Sequence, residues 1–133
     1  MRLQCIIDWL SAIQTTSYKY VAMLWTGLTL YLSVASADSM RELDIWSIVG
    51  IDKVGHAGFY AVFAFLWMMA SRNHKTSKHY IMILTIGFGI LMEIAQYSMR
   101  VGRAFEVYDI LANVTGCIIG YWLFSAVMKN TYQ

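Results

Sequence analysis

The chain has 133 residues, of which 59% are hydrophobic and 14% charged, with a mean hydropathy of +0.52. Those values lie outside the range of a soluble globular domain and point to a single membrane domain over residues 1–133. A net charge of +2 without a basic patch interleaved with aromatics gives no basis for a nucleic-acid partner, and Cys5 and Cys117, far apart in the chain, read as free thiols.

The first segment, MRLQCIIDWLSAIQ, repeats Leu3, Ile6, Ile7, Leu10 and Ile13 at helical spacing, with Arg2, Gln4, Asp8 and Ser11 opposite. Asp8 interrupts the apolar stretch and no small-x-small cleavage site follows promptly, so a secretory signal is not expected. Two readings stand: a short amphipathic helix lying in the membrane interface, or a helical extension of the first span.

Four runs approach the roughly 20 apolar residues a bilayer crossing needs. They lie at about Tyr20 to Ser36, Val54 to Ser71, Tyr80 to Tyr97 and Asp109 to Val127. Only helices or closed barrels satisfy the backbone in lipid, and runs this long are not ten-residue strands. The expected fold is therefore all-α: an integral membrane four-helix transmembrane bundle with a short N-terminal amphipathic helix. Short connections at 72–79 and 98–108 make sequential helices antiparallel. Gly116 and Gly120, with Ala57, Ala61 and Ala64, offer small surfaces for close approach. Arg2, Lys19, Arg72, Lys75, Lys78 and Lys129 fall on one side, against Arg41, Lys53, Arg100 and Arg103 on the other. The excess places both termini in the cytoplasm.

Polar residues interrupt the last three spans at one end. Asp52, His56 and Tyr60 stack at i, i+4 and i+8, Lys53 beside them; Glu93, Gln96 and Arg100 share a stripe with Gly89; Asp109 and Asn113 share one with Gly116. Ionisable groups within a span cost roughly 2.5–3.5 kcal/mol each and normally face the bundle interior in pairs. Glu93 calls for a cation, with Lys53, Arg100 and Arg103 the candidates. Together these stripes predict an outward-opening polar pocket. Taken singly they have structural readings too: Asp109 as a helix cap, Asn113 as an interhelical bond, Glu93–Arg103 as an ion pair.

The segments DKVGHAGFY and EIAQYSMRVGRAFEVYDILANVTGCIIG resemble the VanZ-like family of small bacterial membrane proteins. The resemblance spans about residues 52–120 and rests on Asp52, Lys53, His56, Tyr60, Glu93, Gln96, Arg103, Asp109, Asn113 and Gly116, departing at Glu106, where aspartate or serine is more usual. It implies a small cell-envelope protein, linked through the family's namesake to resistance against the glycopeptide teicoplanin. No settled catalytic activity comes with it.

Three functions compete. In the first, Lys53, Arg103 and Arg100 hold an anionic lipid or cell-wall precursor headgroup while Glu93, Gln96, Asp109 and Asn113 orient the cations and bond sugar or amide groups. In the second, a hydrolase or transferase acts on a lipid-linked phosphate, with His56, Glu93 and Asp109 the catalytic candidates. In the third, Glu93 and His56 relay protons in a small transporter, although no inverted repeat accompanies the four spans. Membrane lipids are the expected partners, a homo-oligomer stays open, and no cofactor or metal is expected. The basic stretch with His74 and His79 lacks metal-ligand spacing and suits anionic headgroups better.

Overall fold

The computed structural model describes residues 2–34, 51–74, 76–98 and 106–131. Four helices run through them: α1 (Arg2–Val34), α2 (Ile51–Ser71), α3 (Lys78–Ser98) and α4 (Val107–Thr131). There is no strand among the described residues. The absence of proline leaves every span free to continue as a helix. Within α1 the first glycine is Gly27, so nothing breaks the helix between its amphipathic start and its apolar second half. Of the two readings for the N-terminal segment the chain takes the extension: Arg2–Val34 is one helix of 33 residues and not a separate interfacial helix followed by a span.

Local bonds set the ends of the other helices. Past Ser71 the chain turns through Arg72 N–H to the Met69 carbonyl and His74 N–H to the Ser71 carbonyl. Ser77 then starts α3. Its carbonyl accepts from the amides of Tyr80 and Ile81, and its hydroxyl accepts from the His79 N–H. Before α4, Glu106 occupies the capping position and its carbonyl accepts the Asp109 N–H at 3.0 Å.

Helix α2 is the hub, touching α1, α3 and α4, whereas α1 and α4 do not meet among the described residues. Helix α4 runs parallel to α2, and α1 and α3 run antiparallel to it. The α2–α4 contact is the tightest because glycine allows it. A Cβ on Gly116 would fall on the Ala57 carbonyl oxygen, with the Ala57 carbonyl carbon and Cα at 3.0 Å. One on Gly120 would fall on the Ala61 carbonyl oxygen, with Ala64 Cβ and Phe65 N at 3.0 Å. The small residues singled out in the sequence are thus where two backbones touch. Next to this seam lies a core of Tyr60, Phe63, Ala64, Met68, Met69, Cys117 and Phe124, with Phe63 stacked on Phe88 at 4.9 Å. Helix α1 is tied on through indoles: Trp25 Nε1–H donates to the Phe59 carbonyl at 3.0 Å, and Trp67 Nε1–H to Thr26 Oγ1 at 3.1 Å.

The surface is inverted relative to a soluble protein. Leu24, Ile83, Leu91, Trp122 and Leu123 stand exposed, whereas Thr15, Thr29, Thr85, Glu93, Gln96 and Asn113 are buried. Hydroxyls within the helices bond back to their own turn: Thr26 to the Ala22 carbonyl, Thr29 to Trp25 and Thr115 to Leu111. Three stretches, Asp52–Ser71, Lys78–Ser98 and Val107–Lys129, are long and apolar enough to cross a membrane. Helix α1, the least apolar of the four, is not one of the three.

Candidate functional site

The parallel register of α2 and α4 brings residues 56 positions apart into bonding distance. Lys53, near the start of α2, reaches across to α4, where its ammonium bonds the Asp109 carboxylate and, at 2.5 Å, the Glu106 carboxylate; Asp52 closes the group at 2.7 Å. One ammonium therefore sits among three carboxylates whose oxygens lie within 4.8 Å of one another. Without Lys53 these acids would repel, and with it the cluster still carries excess negative charge. The three acid oxygens have the spacing of a cation site, but the Lys53 ammonium already serves as their cation.

One turn further along α2, His56 turns to the same neighbour. Its Nδ1 lies 2.9 Å from Asn113 Oδ1, and Nε2 lies 3.9 Å from Asp109 Oδ2. Asn113 fixes the imidazole tautomer. Its Nδ2 donates to the Gly89 carbonyl of α3 at 3.4 Å, so Oδ1 is the acceptor and the proton it takes is on His56 Nδ1. That leaves Nε2 aimed at Asp109, able to take a proton from a hydroxyl or water, or to pair with the carboxylate once protonated.

Helix α3 completes the arrangement through Gly89. A Cβ there would meet Tyr60 Cε1 at 3.0 Å and Asn113 Cβ at 3.2 Å, so the glycine lets α3 lie against both other helices. Glu93 is one turn from Gly89 and Gln96 nearly another turn on. Antiparallel packing sets them at the heights of His56 and Lys53, on the face turned inward. Both are buried, at 3% and 4% exposure, like Asn113 at 3%. Side-chain exposure rises outward through Asp109 (15%) and Lys53 (27%) to Glu106 (49%). Polar groups are thus graded from an interior floor, with Tyr60 beneath it, to an exposed rim.

Of the residues singled out by sequence, Asp52, Lys53, His56, Asp109 and Asn113 converge by direct contact, Tyr60 lies beneath them beside Gly89, and Glu93 and Gln96 join them by register. Arg100 and Arg103 lie outside the described residues. Two expectations are corrected. Lys53, a candidate partner for Glu93, is held instead by Asp52, Glu106 and Asp109. Asp109 is not the cap of α4, which begins at Val107; it stands in the first turn with its carboxylate on Lys53. Glu106, where the chain departs from the family pattern it resembles, bonds the Lys53 ammonium directly. Its position three residues before Asp109, flanking a helix start, is the signal that could have revealed it.

The inverted surface, the three membrane-length helices and the polar network at one end define an integral membrane protein built as a helical bundle. Residues 11–129 match the family model described as VanZ/LLP1, and the chain belongs to that family. No curated protein and no solved structure matches the chain.

Proposed function

We propose that the protein binds the polar headgroup of a membrane lipid or lipid-linked cell-wall precursor at this end of the bundle. The site would face outward from the bacterial cytoplasmic membrane. The observation that carries the reading is the chain from the Gly89 carbonyl through Asn113 to His56, beside Lys53 and its carboxylates. Aligned donors and acceptors graded into an apolar bundle suit sugar hydroxyls and amides more than bulk solvent. Because Lys53 is already neutralised, the anionic group of such a ligand falls to Arg103 and Arg100 in the connection between α3 and α4. Helix α1, whose outer face exposes Tyr20, Val21, Leu24, Leu28 and Tyr31, acts as the fourth span and keeps both termini cytoplasmic.

The test is lipid capture. Protein purified in nanodiscs made from native membrane lipid should retain a headgroup-bearing ligand by native mass spectrometry. Arg103→Ala and Asn113→Ala should each lose it while remaining inserted and helical. Full retention by both variants would refute the reading. A change in glycopeptide susceptibility on deletion is the cellular readout.

A second reading is favoured by the fixed His56 tautomer. A base oriented through Nδ1 by Asn113, with Nε2 left free to take a proton from a hydroxyl or water, is what a hydrolase or transferase needs. Turnover of a polyprenyl phosphate or phospholipid by the purified protein, lost in His56→Ala, would establish it over simple binding.

A further inference from the structure

The opposite end of the bundle holds a cavity of about 230 Å³ lined by Met68, Ser71, Arg72, Thr76, Lys78, Ile81 and Phe124. We propose that it is a binding site for the phosphate headgroup of an anionic phospholipid, separate from the polar site described above.

Two cations from different elements border it, Arg72 just past the end of α2 and Lys78 at the start of α3. Both are held by neutral groups. Arg72 Nη2 donates to Gln14 Oε1 at 2.6 Å, with the guanidinium 5.6 Å from the Tyr18 ring centre. The Lys78 ammonium lies 5.4 Å from the centre of the Tyr121 ring. Among the described residues neither meets a carboxylate, in contrast to Lys53 with three. The sequence gives the reason, because no Asp or Glu occurs between Lys53 and Met92 or after Asp109. Asp8, in the N-terminal part of α1, is the one acidic residue in the segments at this end, against Lys19, Arg72, Lys78 and Lys129, so the end carries excess positive charge, with Arg72 and Lys78 oriented by a hydrogen bond and two aromatic rings. Ser71 and Thr76 line the same cavity and make its wall more polar.

The remaining lining identifies the ligand as lipid. Met68 and Phe124 are buried and Ile81 packs against the same core. A free inorganic anion has no use for such a floor, whereas a glycerol backbone and the first acyl carbons do. A cavity of about 230 Å³ has room for a phosphate and the start of its glycerol. The cavity also lies at the ends of the membrane-length helices, the depth at which phospholipid headgroups sit.

The test uses full-length protein in nanodiscs of zwitterionic lipid, with the anionic phospholipid phosphatidylglycerol titrated in and bound lipid counted by native mass spectrometry. Each of Arg72→Gln and Lys78→Gln should weaken binding about fivefold, and the pair about thirtyfold. Lys129→Gln, an exposed cation at the same end that does not line the cavity, should weaken it less than twofold. Helicity by circular dichroism confirms that the variants fold. Three results would overturn the proposal: equal losses in all three single variants, which would mark a diffuse surface potential; displacement of the lipid by millimolar inorganic phosphate, which would mark a soluble-anion site; or no preference for phosphatidylglycerol over the zwitterionic lipid.

Discussion

Replacing Gly116 by alanine tests how the bundle and its polar end depend on each other. The added methyl would meet the Ala57 backbone, which has no rotamer through which to yield, so α4 must withdraw from α2. Ordinary carbon contacts lie near 3.5–4.0 Å, so the withdrawal needed is about 1 Å. Overpacking of this kind costs about 1–3 kcal/mol, partly offset by up to about 1 kcal/mol of helix propensity. The same shift would stretch His56 Nδ1 to Asn113 Oδ1 from 2.9 Å to about 3.9 Å, beyond hydrogen-bond range. Gly58 is the internal control, because a Cβ there meets nothing within 4 Å. Gly58→Ala should be neutral or slightly stabilising. Thermal unfolding in detergent, followed through tryptophan fluorescence, should place Gly116→Ala well below both wild type and Gly58→Ala, and headgroup capture should fall with it. If Gly116→Ala melts with or above Gly58→Ala, the close α2–α4 contact is not what holds the bundle together.

Lys53→Met leaves Asp52, Glu106 and Asp109 facing one another without a cation, and should destabilise the protein by about 1–3 kcal/mol, a figure kept modest by the exposure of the pair. Lys53→Arg should recover most of that loss, and adding Asp109→Asn to Lys53→Met should recover part of it; unfolding in a denaturant series would show a double-mutant coupling, and additive losses would count against the cluster. Trp25→Phe keeps the ring beside Phe59 but removes the donor to its carbonyl, so about 0.5–1.5 kcal/mol should be lost from the same unfolding transition. Cys117, with no exposed surface, should resist maleimide in the folded protein and react once it is denatured, as an intact-mass shift would show.

Much of this molecule could be read from its residues alone. Apolar runs of span length without proline dictate helices, because a backbone in hydrocarbon has to bond to itself. The helical repeat then sets which residues share a stripe, and so Asp52, His56 and Tyr60, or Asp109 and Asn113, could be grouped before any helix was placed. Gly116 and Gly120 announced a close contact, since side chains of hydrogen size are what backbones need to touch. What periodicity does not contain is the relative sliding of one helix along another. Only the parallel seating of α4 on α2, locked where Gly116 meets Ala57, decided that Lys53 would bind Asp109 and Glu106 in preference to Glu93. The same seating put Asn113 between Gly89 and His56, choosing which imidazole nitrogen is left free. The reach of α1 from Arg2 to Val34 likewise needed tertiary information: its two halves have different composition, and indole bonds to α2 and side-chain contacts to Arg72 and Asn73 hold it alongside. A stripe is a local property of one helix, whereas a site is a property of register between helices, and register is settled by packing.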